Sequence, residues 1–112
     1  MSTPYKINFD FLDGATHDAT VTETSIALEF CENFSWAVTP IPIGITGGNP
    51  SYTIQVSNDG LIWFDYNALS TSVDIDNAVD DIHLSFTQMR IAYDGTGVSA
   101  GTVGFLFTNK GN

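Results

Sequence analysis

Positive charge is scarce in this chain. Lys6, Arg90 and Lys110 stand against thirteen acidic residues, a formal net charge of −10 over 112 residues. A field of that sign repels phosphate backbones and anionic headgroups, so nucleic acid is excluded as a partner and anionic membrane surfaces are disfavoured. Cysteine occurs once, as Cys31. No internal disulfide can form, as suits folding in a reducing cytoplasm, and the flanking Glu29 and Glu32 disfavour a thiolate nucleophile. The opening MSTPYKINFD lacks the apolar stretch of a secretory signal and no run approaches a membrane span, so neither export nor membrane insertion is expected.

Recognisable chemistry is missing too. His17 and His83 stand apart, without the paired spacing of a zinc site, and read as surface or strand histidines. Asp74, Asp76, Asp80 and Asp81 cluster in sequence, but no Gly at the sixth position and no closing Glu make them a calcium loop of the EF-hand kind, so a solvated acidic loop is expected. No phosphate-binding glycine loop, Ser/His/Asp set or catalytic carboxylate pair can be assembled. The expectation is a non-enzymatic protein with no catalytic residue, cofactor or metal.

What is present is apolar and aromatic. Hydrophobic residues make up 43 % of the chain, with eight Phe, four Tyr and two Trp, enough for one packed core and a single domain over residues 1–112. Alternation sets the strands. Residues 4–12 alternate through Tyr5, Ile7, Phe9 and Phe11. A weaker strand follows from His17 to Thr22, a third through Ile26, Leu28 and Phe30, and a fourth from Phe34 to Val38. Val73 and Ile75 make a short strand, and a single helical turn capped by Asp76 fits within 76–85. The longest strand, His83–Asp94, changes inward parity between Phe86 and Met89, which a bulge or break at Thr87-Gln88 resolves. Val103, Phe105 and Phe107 form the last strand before a frayed tail at 109–112.

Two segments depart from plain alternation. Thr39–Pro50 carries three prolines and three glycines and is expected to be a loop or a sheet edge. Ile41, Ile43 and Ile45 alternate within it, and must either fold back on the core or meet another molecule; they are the candidate partner-binding residues. Ser51–Tyr66 is the central hairpin, with Tyr52, Ile54 and Val56 on one face and a turn at Asn58, Asp59 and Gly60 leading to Trp63. Asp59 is expected to bond the amides of its own turn. Arg90, on an apolar strand, requires a carboxylate or carbonyl partner, with Asp65 and Asp59 as candidates. Some eight short strands without a helix-length period indicate an all-β, antiparallel, jelly-roll-like β-sandwich, with a closed barrel as the alternative. Its expected core is Phe9, Ile26, Leu28, Trp36, Ile54, Val56, Trp63, Ile91, Tyr93, Phe105 and Phe107.

From Phe34 onward the order of features is Trp36, a Gly/Pro segment, a strand, Ser57-Asn58-Asp59-Gly60, Trp63, the strand Met89-Arg90-Ile91-Ala92-Tyr93, and Gly101-Thr102 opening the last strand. This order resembles small β-sandwich proteins encoded among the virion genes of bacteriophages, over about two thirds of the chain. The resemblance implies a structural component of the particle (capsid-associated, decoration or spike-base), made in the host cytoplasm and located in the virion. It also implies contacts with other virion proteins and a homo-oligomer. A similar hairpin followed by an Arg-bearing strand occurs in discoidin-like and galactose-binding-like sandwiches, which makes a carbohydrate-binding module the alternative. In either family Asn58, Asp59, Gly60, Trp63 and Arg90 have a structural role in the hairpin. Far-ultraviolet circular dichroism is expected to be dominated by β-structure; a helical spectrum would overturn this fold class.

Overall fold

The computed structural model describes residues 5–29, 35–66, 73–81 and 86–111. Among them the strands are β1 (Tyr5–Asn8), β2 (His17–Asp18), β3 (Glu23–Thr24), β4 (Leu28–Glu29), β5 (Ser35–Thr46), β6 (Ser51–Ser57), β7 (Phe64–Tyr66), β8 (Val73–Asp74), β9 (Val79–Asp81), β10 (Gln88–Asp94) and β11 (Ala100–Gly111). They form two antiparallel sheets. One runs β1-β11-β5-β9 with β2 also on β11; the other runs β3-β10-β6-β7 with β4 on β10 and β8 on β6. The fold is an all-β antiparallel sandwich, and the two sheets keep separate edges where a barrel would close. The strand number exceeds the expected eight because two-residue pairings such as β2 and β3 are too short to show alternation.

The core follows from period 2. Tyr52, Ile54 and Val56 on β6 and Met89, Ile91 and Tyr93 on β10 face Trp36 and Val38 on β5 and Val103, Phe105 and Phe107 on β11, all buried. Rings cross the interface. Phe105 lies 4.9 Å from Tyr52 and 6.1 Å from Tyr93, and Trp36 lies 5.6 Å from Tyr66. The two buried phenols reach backbone carbonyls, Tyr52 donating to Asn77 at 2.5 Å and Tyr93 to Ala19 at 2.7 Å. Burial pushes the Tyr52 pKa up to about 12.

Several expectations need correction. Ile26 is 59 % exposed, because the chain between β3 and β4 holds its register on β10 through Ser25, whose amide and hydroxyl bond the Ile91 backbone, and Ile26 then points away. Trp63 is half-buried on the outer surface, outside the core. The second strand stops at Asp18, where Thr20 bonds the Asp18 carboxylate in a turn. Asp74, and not Asp76, organises the turn that follows β8: it accepts from the Asp76 amide, and Asn77 N–H bonds the Asp74 carbonyl. No helix forms among the described residues. Asn109 is buried and β11 pairs with β5 as far as Gly111, so the last strand holds where fraying was expected. Phe86 packs on the core ahead of β10, with Thr87 and Gln88 between it and buried Met89. The expectations for Phe30, Cys31, Phe34 and His83 lie outside the described residues.

Of the loop or sheet edge expected for 39–50, residues 39–46 are the sheet edge, continuing β5 beyond its pairing with β9, and a bulge within them decides where the isoleucines point. Thr102 pairs with Ile43 and Ala100 with Thr46, so Gly44 and Ile45 together oppose Gly101. Gly44 takes the left-handed conformation (φ 64°) that the extra residue requires. A Cβ on Gly101 would meet the Ile45 Cα at 2.6 Å. Ile41 and Ile43 therefore share the outward face, whereas Ile45 turns inward and packs against the core. Phe105→Ala is expected to cost about 3–5 kcal/mol in chemical denaturation. Leu12→Ala, at an exposed turn, should stay within about 0.5 kcal/mol.

Candidate functional site

The outer surface around the central hairpin is wired from its own turn outward. Ser57 Oγ accepts from the Asp59 and Gly60 amides and donates to Asp59 Oδ1. That same Oδ1 accepts from the Leu61 and Ile62 amides at 2.9 and 3.0 Å. These bonds hold the Asp59 carboxyl below the usual carboxylate range, the Ile62 and Leu61 amides contributing most. The connection thus becomes a rigid loop from Asn58 to Trp63, longer than the expected tight turn. It closes with Trp63 Nε1 donating to the Gly60 carbonyl at 3.2 Å.

Arg90 on β10 lies over the Trp63 ring, its guanidinium carbon 4.1 Å from the ring centre. Its Nε donates to Gln55 Oε1 at 2.8 Å, and Gln55 Nε2 donates to Asp65 Oδ1 at 3.0 Å. Gln55 therefore stands between the Arg and the carboxylate expected to pair with it. The register places Arg90, Gln55 and Asp65 side by side on the outward face of three adjacent strands. Partial burial works against the charged form of Arg90. A flat, half-exposed indole framed by amide, carboxylate and guanidinium can stack on an apolar or sugar face and hydrogen-bond its rim.

Beside this platform the hairpin leaves three large apolar residues in solvent: Leu61 is 84 %, Ile62 61 % and Phe64 58 % exposed. On the other sheet, Ile41 and Ile43 stand exposed opposite Gly104 and Thr102. The edge of β5 carrying them is open beyond Val38 among the described residues, since β9 pairs only with Trp36–Val38. Its prolines sit where they silence that edge. The Phe105 carbonyl accepts from the Phe9 amide, away from β5, so its partner Pro40 also turns its backbone nitrogen outward, and Pro42 follows at the same parity. At 40 and 42 the open edge offers carbonyls but no N–H.

Two further groupings were not legible in the sequence. An open cleft of about 270 Å³ lies between the end of β5 and the β8 turn, lined by Pro42, Ile45, Asn49, Pro50, Asp74 and Asp76 among others. At the other grouping His17, expected as a surface or strand histidine, lies on strand β2, buried, and stacks on Phe11 with ring centres 4.3 Å apart. Asp13 and Glu23 converge on it. No spacing rule links these three; only the tight turn at Leu12–Asp13, closed by reciprocal Phe11 and Gly14 backbone bonds, brings them together.

Asp13, Asp18, Asp59 and Asp94 all have lowered pKa values, chiefly through hydrogen bonds to His17, Thr20, the Ile62 amide and Thr96 respectively. Each contributes stability that is present above the unfolded carboxyl pKa, about 3.9, and lost as pH falls through the lower folded value. Acid unfolding is accordingly expected below about pH 4, and Asp59→Asn should flatten the acid limb of the stability profile; an unchanged limb would refute the turn's contribution. No family model matches the chain, and no curated protein or solved structure matches it.

Proposed function

We propose that the protein is a non-enzymatic structural subunit of a bacteriophage particle, a capsid-associated, decoration or spike-base component that contacts other virion proteins and copies of itself. The observation that carries this reading is apolar area held in solvent on rigid strands and their hairpin: Ile41 and Ile43 on one sheet, Leu61, Ile62 and Phe64 on the other. Monomeric proteins scatter such residues singly, and grouped ones mark contact surfaces. Their placement on two sheets suits a subunit with neighbours on more than one side. Full burial of each side chain is worth about 1.5–3 kcal/mol, before the cost of association is subtracted. The silenced edge of β5 directs association toward side-chain contact and away from strand addition. A net charge of −10 opposes indiscriminate self-association.

A carbohydrate-binding module is the second reading, favoured by Trp63 with Gln55, Asp65 and Arg90 around it. Selective binding on a glycan array, lost in Trp63→Ala, would replace the first reading with this one. For the virion reading, mass spectrometry of purified particles is expected to find the chain. Ile41→Ser with Ile43→Ser should melt like the wild type yet fail to assemble in sedimentation velocity. Ile45→Ser should instead lower the melting temperature, since that residue packs on the core. Undiminished assembly in the double variant would remove this face as a contact surface.

A further inference from the structure

Away from both apolar groups, side chains from the two sheets meet at Asp13, His17 and Glu23. His17 opens β2 in one sheet and Glu23 opens β3 in the other, while Asp13 sits in the turn between Phe11 and Gly14. Each offers one ligand atom, and these atoms lie within 4.8 Å of one another. His17 is 1 % exposed, Glu23 half-buried and Asp13 open to solvent.

The two ring nitrogens of His17 have different partners. Nε2 lies 2.7 Å from the Val21 carbonyl oxygen, which only accepts, so Nε2 carries a hydrogen and donates. Nδ1 lies 2.7 Å from Asp13 Oδ1. Asp13 Oδ2 in turn accepts from the Asp18 amide at 2.9 Å, which leaves Oδ1 facing the ring. A bare Nδ1 would point its lone pair at that oxygen with a second carboxylate close by. A cation between them would relieve that contact and engage all three donor atoms.

We propose that Asp13, His17 and Glu23 form a binding site for a divalent transition-metal ion, with Zn²⁺ the best fit, held by His17 Nδ1, Asp13 Oδ1 and a Glu23 carboxylate oxygen. One nitrogen and two oxygen donors suit Zn²⁺, and further positions open to solvent on the Asp13 side. The bond from Nε2–H to the Val21 carbonyl is the outer contact that fixes the tautomer and orientation of a metal-ligating histidine. Both carboxylates are anchored as well, Asp13 on the Asp18 amide and Glu23 Oε2 on the Leu12 amide at 2.9 Å. Metal bonds of about 2.0–2.2 Å set ligand atoms roughly 3.4 Å apart, so Asp13 and His17 separate by under about 1 Å and Glu23 closes by about 1.4 Å or less. Phe11 and Tyr93 hold the imidazole from its face and edge, at 4.3 and 5.7 Å, leaving the carboxylates to adjust. A bound ion would clip β2 to β3 and so join the two sheets.

The test uses the full chain, stripped with EDTA and titrated with ZnCl₂ by calorimetry and thermal melt. One equivalent of Zn²⁺ should bind and raise the melting temperature, EDTA should reverse the rise, and Zn²⁺ should shift the His17 Nδ1 resonance in ¹⁵N NMR. Glu23→Gln keeps an oxygen acceptor for the Leu12 amide while removing a charged ligand, and should weaken binding at least about tenfold. His83→Ala should bind as the wild type does. Absence of heat, melt shift and Nδ1 shift at millimolar Zn²⁺ would leave a hydrogen-bonded His17–Asp13 pair and overturn the site. Undiminished binding in Glu23→Gln, or its loss in His83→Ala, would overturn it equally. Should Glu23→Gln fail to fold, the wild-type Nδ1 resonance decides.

Discussion

The inward row of β11, Val103, Phe105 and Phe107, packs against the facing sheet, and the other strands take their positions from that contact. β11 is paired along both edges, by β1 and β2 on one side and β5 on the other. A strand in that position cannot slip by one residue without sending its aromatic row into solvent. Phe105 meets Phe11, Tyr52 and Tyr93, and so ties the N-terminal turn to both sheets. Aromatic pairs of this kind add specific geometry to the area they bury. The Tyr52 and Tyr93 hydroxyls then satisfy themselves on the carbonyls of Asn77 and Ala19, which seats two connecting segments on the ends of the sandwich.

Local exceptions to strand regularity place the surfaces on that framework. The bulge at Gly44 and Ile45 splits three alternating isoleucines into an exposed pair and an inward member. Pro40 and Pro42 remove the donors an incoming strand would need while their rings stay on the inner face. The Ser57 and Asp59 side chains replace ladder bonds with turn bonds, and the rigid loop they make holds Leu61, Ile62 and Phe64 out in solvent. A net charge of −10 tolerates such exposed apolar groups because like charge opposes indiscriminate association.

Fold class, the buried rows of β6 and β10 and the turn role of Asp59 could be read from the chain, because period-2 alternation and Asx-turn chemistry act over a few residues. The absence of helix among the described residues followed from the same pattern. The directions of Ile26, Ile45 and Trp63 could not be so read. Ile26 depends on how Ser25 bonds Ile91, 66 residues away in sequence; Ile45 depends on the bulge opposite Gly101; and Trp63 depends on Arg90 arriving over its ring from another strand. The Gln55 bridge between Arg90 and Asp65 likewise exists only through the β10-β6-β7 register. The meeting of Asp13, His17 and Glu23 is of the same kind, since two of its members belong to different sheets. Residue order by itself determined which segments are strands and which faces are apolar, because those are properties of neighbours along the chain. Only the tertiary structure decided which side chains from distant strands share a site, because register, bulges and sheet packing are settled by contacts between segments that no local pattern records.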